Sequence, residues 1–201
     1  MNIGIYIYDN AEVLDFSGPF EVFSTAKRLV QTNWNIFFIT ETGEMINARG
    51  GFKVKPDYSI NDHPEIDLLL VVGGIHNDEV RKANVIGWPV NTAPNVSRVV
   101  SVCTGAFLLA EAGLLDGLKV TTHWEDQDDL AKDYPTLTVV KDQRWVTDGK
   151  ITTSGGISAG IDMSLHLVSE LIDTYAAVNT AKQMEYQWLQ NKADHANLSK
   201  A

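Results

Sequence analysis

Short apolar runs alternate with amphipathic segments along most of the chain. The runs Asp67–Val72 and Val99–Val102 are almost entirely apolar, which is typical of parallel strands covered on both faces. Ile3–Tyr8 and Trp34–Thr40 predict two further strands, and Ser158–Leu171 predicts an amphipathic helix. This alternation predicts an α/β fold with a mostly parallel sheet and helices on both faces.

Other segments are predicted from turn and helix-breaking residues. Asp148-Gly149 predicts a hairpin across residues 138–153. Residues 78–86 fit a helix, and Pro89 is expected to prevent its continuation. The segment Ala176–Leu189 predicts the last helix, and the polar last ten residues are expected to fray.

Composition and charge narrow the classes of function. With 201 residues, 44% of them apolar and 21% charged, the sequence predicts one globular domain over residues 1–201. A formal net charge of −10 disfavours nucleic-acid binding. The chain has no apolar run long enough for a membrane span and no N-terminal secretory signal, so we expect a cytoplasmic protein without membrane contact. One cysteine excludes an intrachain disulfide, and five histidines without ligand spacing predict no metal site.

The single cysteine, Cys103, occupies the junction between a predicted buried strand and a predicted helix. A glycine follows at Gly105, so the segment is similar to a nucleophile elbow. Free N–H groups and partial positive charge at a helix N-terminus favour thiolate over thiol. The alternative is a buried structural cysteine, because cysteine is among the most buried residue types.

Three other segments could complete a site around this cysteine. The dipeptide Gly73-Gly74 ends the neighbouring strand. It is either a plain turn or part of an oxyanion hole, which the N–H groups of Gly74 and Thr104 would form. His123 follows a further short strand and is either a base, a substrate contact or a packed, helix-capping histidine. The glycine-rich segment 153–162 lacks the Gly-Lys-Ser/Thr of a phosphate-binding loop, so we expect close backbone packing there.

Together these segments resemble the ThiJ/PfpI superfamily, which is related to class I glutamine amidotransferases. The resemblance rests on four motifs in order: Gly73-Gly74, Val102-Cys103-Thr104-Gly105, Thr122-His123-Trp124, and Gly155-Gly156 followed by Ala159-Gly160-Ile161-Asp162. It extends from Ile3 to about Leu171 and implies a flavodoxin-like three-layer sandwich with a nucleophile elbow at Cys103.

Within the superfamily the pattern is similar to isonitrile hydratases and to the amidase-like domains of AraC-type regulators. Both groups carry the N-terminal pattern that appears here from Leu14 to Phe23. The hydratase resemblance implies that Asp15, Cys103 and Thr104 are catalytic. It also implies a small-molecule substrate, no cofactor and a homodimer. From the residues alone, a helix cap is the favoured role for Asp15, and Glu21 is a reserve candidate for the acid.

We expect three residues to contact the substrate, namely Gly74, Ile75 and His123, while Trp124 and His76 are further candidates for the pocket. Other branches fit less well, because the PfpI-type proteases place histidine where this chain has Thr104. The deglycase-like branch has glutamate where this chain has Asp15, and no His-x-Glu pair of the amidotransferases is found.

Two alternatives to a hydratase remain open at this stage. One is a ligand-sensing domain, although regulators with this pattern carry a DNA-binding region after it and this sequence ends at Ala201. The other is an oxidation sensor or a different hydrolase that uses Cys103, since an accessible thiolate is readily oxidised. Turnover distinguishes an enzyme from a sensor.

Overall fold

The computed structural model describes residues 1–191, so the expectation for the last ten residues lies outside the described range. The strands are β1 (Asn2–Tyr6), β2 (Asn35–Thr40), β3 (Ile46–Ala48), β4 (Phe52–Val54), β5 (Tyr58–Ser59), β6 (Leu68–Val71), β7 (Arg98–Val102), β8 (Lys119–Val120), β9 (Thr138–Val139), β10 (Trp145–Asp148) and β11 (Ile151–Ser154). The α-helices are α1 (Val13–Val30), α2 (Ala83–Thr92), α3 (Gly105–Glu111), α4 (Gln127–Asp133), α5 (Ala159–Leu171) and α6 (Thr174–Gln183).

Seven strands form the main sheet in the order β10-β11-β7-β6-β1-β2-β5. All neighbouring pairs are parallel except β10 and β11 at one edge. The chain moves from β1 to β2 on one side and later continues from β6 on the other, so the strand order reverses beside β1. Ligands of open α/β sheets bind beyond the carboxyl ends of the strands at such a switch point.

Helices flank this sheet in two groups, which confirms the predicted flavodoxin-like arrangement. Helices α1, α5 and α6 pack against one another, whereas α2 contacts α3 and α3 contacts β6 and β7. The central strand β6 is buried along its whole length, as its apolar sequence predicts. The core therefore lies on both faces of the sheet.

One glycine lets α1 pack closely on α5, and a second lets α5 pack closely on the sheet. A Cβ atom at Gly18 of α1 would lie 2.9 Å from Ile161 of α5, and one at Gly160 would lie 2.9 Å from Val102 at the end of β7. Real Cβ atoms rarely tolerate such distances. The motif glycines therefore bring the start of α1 close to the turn that carries Cys103.

The prediction for Pro89 is wrong, because α2 runs from Ala83 to Thr92 with this proline inside it. Proline removes one helical hydrogen bond. Pro89 is buried together with Val85 and Trp88 of the same helix, and this apolar packing offsets the lost bond.

The predicted hairpin over 138–153 is also wrong in its first half. Only β10 and β11 form the hairpin around Asp148-Gly149, while β9 pairs in parallel with β8 through Lys119 and Thr138. The last helix ends earlier than predicted, at Gln183. Beyond it the chain packs on α5, where the N–H of Leu189 donates to the Asp162 carboxylate at 2.8 Å.

Candidate active site

Cys103 sits in a strained turn between β7 and α3. Its φ is +56°, a left-handed conformation that residues other than glycine rarely adopt. The Cys103 N–H donates to the carbonyl oxygens of Ser154 and Gly155 at 3.2 and 3.3 Å. Its carbonyl oxygen accepts from the Thr122 hydroxyl at 2.7 Å. These bonds hold the strained turn in place, as is common at functional sites.

Two glycines are required for this turn to pack on the end of β6. A Cβ at Gly105 would lie 2.3 Å from the carbonyl oxygen of Val71. A Cβ at Gly73 would lie 2.6 Å from the Thr104 nitrogen and 2.7 Å from the Cys103 Cβ. The glycines of two sequence motifs therefore meet directly behind the cysteine.

Asp15 is fully buried beside Cys103, in the first turn of α1. One carboxyl oxygen accepts from the Gly73 N–H at 3.2 Å, and the other accepts from the Ile157 N–H at 2.9 Å. The carboxyl group also forms a hydrogen bond with the Cys103 thiol. The capping alternative for Asp15 is thus wrong, because Glu12 holds the N-cap position and no side chain caps this helix.

Thr104 joins the cysteine turn to the glycine turn after β6. Its hydroxyl donates to the carbonyl oxygen of Gly74 and accepts from the N–H of Gly74, both at 2.9 Å. The Thr104 N–H forms a hydrogen bond with the Cys103 sulfur. The predicted oxyanion hole of two free N–H groups is therefore wrong for this state, since the Gly74 N–H is already bound.

A cavity of about 270 Å³ opens in front of Cys103. The predicted substrate contacts Gly74, Ile75 and His123 all line it, whereas the predicted pocket residue Trp124 is 73% exposed and does not. Its lining comprises Glu12, Arg49, Gly74, Ile75, His76, Asn77, Cys103, Thr104, His123, Glu125, Asp126 and Ile157. The reserve acid Glu21 lies outside this set; it is exposed and accepts from Thr25 at 3.0 Å.

The side chains of His123 and Cys103 meet at Gly156, where any larger residue would clash with both. A Cβ at Gly156 would lie 2.3 Å from His123 Nδ1 and 3.0 Å from the Cys103 sulfur. The His123 Nδ1 atom is buried and has no hydrogen-bond partner among residues 1–191. The imidazole and the thiol are therefore close neighbours, with a free polar atom between them.

Comparison with known proteins places these observations in a family. The model of the DJ-1/PfpI family matches residues 1–170. The chain belongs to the DJ-1/PfpI family. This confirms the resemblance to the ThiJ/PfpI superfamily found in the sequence.

Individual members of the DJ-1/PfpI family are similar over most of this chain. An isonitrile hydratase from Pseudomonas putida is 33% identical over 193 residues, covering 92% of this chain and 78% of that protein. The transcriptional regulator CdhR from Pseudomonas aeruginosa is 29% identical and covers 94% of this chain, which spans only 56% of the regulator. The crystal structure of a ThiJ/PfpI family protein from Pseudomonas syringae has a TM-score of 0.84 at 25% identity, over 92% of this chain and 75% of that chain.

The electrostatics of this DJ-1/PfpI site differ from the prediction made for the cysteine. Burial raises the pKa of Asp15 from 3.8 to about 7, against the opposing hydrogen bonds from Ile157 and Cys103. Burial, followed by the charge of Asp15, raises the pKa of the Cys103 thiol well above its ordinary value, and only the Thr104 N–H is a significant opposing contact. The prediction of a thiolate stabilised by the helix N-terminus is thus wrong for the resting site.

Asp15 and Cys103 act as one titrating unit, because the charge of Asp15 raises the pKa of Cys103, whereas the hydrogen bond from Cys103 lowers the pKa of Asp15. Both pKa values are raised, so the pair holds at least one proton at neutral pH. A buried group of this kind, facing a cavity, is typical of functional sites.

Several lining residues were absent from the sequence prediction. Arg49 and Glu12 form an ion pair at 3.4 Å at the cavity, and Asp126 lies there with its pKa raised by burial. Ile157 has a φ of +58° and supplies the N–H that holds Asp15. No local sequence pattern indicates a role for Arg49 or Ile157. Glu12, in contrast, lies three residues before Asp15, next to the N-terminal motif.

No group of three or more His, Cys, Asp or Glu side chains that could hold a metal ion is found among residues 1–191. Over the same range, no helix is long and apolar enough to cross a membrane.

Proposed function

We propose that this chain hydrates an isonitrile, R–N≡C, to an N-substituted formamide. The observation that carries the proposal is the hydrogen-bonded pair of Cys103 and Asp15. The carboxyl group is fully buried, has no cationic partner among residues 1–191, and has a pKa of about 7. Such a group donates and accepts a proton near neutral pH, which general acid–base catalysis requires. The 33% identity to an isonitrile hydratase supports the same chemistry.

The first step joins the substrate to the cysteine. The Cys103 sulfur attacks the terminal carbon of the isonitrile, and the proton held by the pair moves through Asp15 to that carbon. The product is the thioimidate R–N=CH–S–Cys103, and Asp15 is left as a carboxylate. The Thr104 N–H donates to the sulfur and stabilises its negative charge before the attack.

The second step consumes one water molecule. Asp15 removes a proton from the water as its oxygen adds to the thioimidate carbon, and then passes this proton to the substrate nitrogen. The C–S bond breaks as the C=O bond forms, and the hydroxyl proton returns to Asp15. R–NH–CHO leaves, and the cysteine–aspartate pair again holds one proton.

The residues that contact the substrate belong to the same proposal. Gly74 and Ile75, which follow β6, line the cavity together with His123. We assign the free Nδ1 atom of His123 to the substrate or to the attacking water, because it faces the gap beside the sulfur. These contacts set the substrate carbon between the sulfur and the acid.

A ligand sensor is the second candidate, and one observation favours it. The raised pKa of Cys103 makes the thiol a poor nucleophile when no ligand is bound. The similarity to the transcriptional regulator CdhR is consistent with a domain that binds a small molecule without turnover.

The deciding experiment follows formamide production from cyclohexyl isocyanide. We expect turnover by the wild type, none by Cys103→Ala, and a loss of about 100-fold or more in Asp15→Asn. Glu21→Gln removes an exposed carboxylate of the same helix and is expected to keep wild-type activity. Turnover by Cys103→Ala contradicts the covalent mechanism, and an inactive wild type that still binds the isonitrile supports the sensor.

A further inference from the structure

Tyr8 is a buried polar side chain that the proposed reaction leaves without a role. It follows β1 and is only 3% exposed. Its hydroxyl forms no hydrogen bond of normal geometry among residues 1–191, although the Thr104 side chain lies close enough to affect its pKa. A buried hydroxyl without a partner loses its hydrogen bonds to water without replacement, so its retention calls for a reason.

The neighbouring Tyr6 shows that this strand is able to satisfy a buried phenol. The Tyr6 hydroxyl donates to Glu79 Oε1 at 2.5 Å, and the rings of Tyr6 and Tyr8 stack with their centroids 6.2 Å apart. The two side chains thus share one environment, yet only the hydroxyl of Tyr8 lacks an acceptor. This contrast provides a matched pair of residues for experiment.

Burial and neighbouring acidic groups keep Tyr8 protonated. Burial raises its pKa well above 10.0, and Glu79, Cys103 and Asp15 raise it further, in that order, against a smaller lowering by the Thr104 side chain. A neutral phenol in this position is a hydrogen-bond donor at neutral pH. The reacting pair and Glu79 both lie close enough to affect its pKa.

The Thr104 hydroxyl has a free acceptor position, whereas the Tyr8 hydroxyl lacks an acceptor partner. A hydroxyl has one donor and two acceptor positions. Thr104 uses its donor on the Gly74 carbonyl and one acceptor position on the Gly74 N–H, which leaves a second acceptor position.

We propose that Tyr8 is a positioning residue for the isonitrile hydration proposed above, because its hydroxyl donates to the Thr104 hydroxyl as negative charge develops on the Cys103 sulfur. Tyr8 acts through Thr104 and does not touch the substrate. The added bond fixes Thr104 against Gly74, and it thereby holds the Thr104 N–H on the sulfur. Losing the bond weakens the stabilisation of the charged pair.

The test compares Tyr8→Phe with Tyr6→Phe, which removes one hydroxyl from the same strand and leaves both rings. The readout is the rate at which iodoacetamide alkylates Cys103 at each pH between 7 and 9, which needs no substrate. We expect Tyr8→Phe to slow alkylation by about three- to tenfold at each pH. Tyr6→Phe is expected to lower the melting temperature and leave the alkylation rate unchanged.

An unchanged alkylation profile in Tyr8→Phe overturns the proposal. An equal change of the alkylation rate in both variants also overturns it, because it indicates general loosening of the strand. Isonitrile turnover is measured in parallel, and we expect Tyr8→Phe to lower kcat and leave KM unchanged. Absence of turnover in every protein defeats the proposed function alone, since the alkylation profile still reports on Tyr8.

Discussion

Among residues 1–191 three carboxyl side chains lie in the interior, and their surroundings differ in one respect. Glu79 is 4% exposed and lies 2.9 Å from Lys82 Nζ, and Asp162 is 0% exposed and pairs with Arg144. Asp15 is also 0% exposed, but no lysine or arginine pairs with it in the described part of the chain. Its partners are two backbone N–H groups and a thiol.

The difference separates carboxylates that hold the fold from one that is able to react. An ionised carboxylate in the interior costs several kcal/mol unless a cation and hydrogen bonds compensate it. Glu79 and Asp162 have that compensation and tie distant segments together. Burial raises the pKa of Asp162 as well, but the N–H of Leu189 and the charge of Arg144 oppose that rise. Asp15 lacks a cation, so its pKa reaches about 7 and its proton becomes available for chemistry.

The pH dependence of the unfolding free energy tests the protonation state of Asp15, and we expect the largest effect here. Its folded pKa of about 7 exceeds the ordinary value of 3.8, so the folded state binds the proton more tightly than the unfolded state. The contribution of Asp15 to stability is therefore present below about pH 4 and is lost as the pH rises to about 7. Relative to Asp15→Asn, the wild type is expected to lose roughly 4 kcal/mol of unfolding free energy across this window.

Urea unfolding of both proteins at pH 4 to 8 measures this difference, and the change with pH matters more than the absolute values. Glu21→Gln serves as the control and is expected to follow the wild-type curve. Parallel curves for wild type and Asp15→Asn contradict the assignment of Asp15 as the uncompensated carboxyl group.

Removing the cation from Asp162 is expected to have the next largest effect. Arg144→Met leaves a fully buried carboxylate with hydrogen-bond donors, the Leu189 N–H and the Tyr186 hydroxyl, but without a cation, so the unfolding free energy should fall by about 3 kcal/mol. Urea unfolding at pH 7 provides the measurement. Arg98→Met breaks a half-exposed pair with Glu170 and is expected to cost less than about 1 kcal/mol. Equal losses in the two variants would show that burial of Asp162 does not matter.

Sequence patterns located the reactive centre better than its surroundings. The motifs around Cys103, Gly73-Gly74 and Asp15 are short and continuous, and the fold brings these residues into contact. The backbone N–H groups that hold Asp15 come from Gly73 and Ile157, at sequence separations that no periodicity reveals. Tyr8 belongs to an apolar run, so the pattern indicates core and conceals its polar atom.

The pKa of Cys103 was mispredicted for a related reason. A helix N-terminus is visible in a sequence, whereas the degree of burial and the approach of Asp15 are not. Both raise the pKa, and together they outweigh the single N–H of Thr104. The pairing of Asp162 with Arg144 cannot be seen in the sequence either. Arg144 precedes β10 and Asp162 lies in α5, so the two side chains meet only after folding.

Removing the cation from Glu79 is expected to cost less than removing the cation from Asp162, and it tests whether a compensated carboxyl group is silent in function. Lys82 is 40% exposed and bridges Glu79 to Glu41, so Lys82→Met removes a pair that solvent already weakens. Glu79 keeps the hydrogen bond from Tyr6, and we expect a loss of about 1 kcal/mol in urea unfolding with isonitrile turnover unchanged. Glu41→Gln removes the outer partner alone and should cost still less. If Lys82→Met lost as much turnover as is expected for Asp15→Asn, the assignment of Glu79 as a purely structural carboxyl group would be wrong.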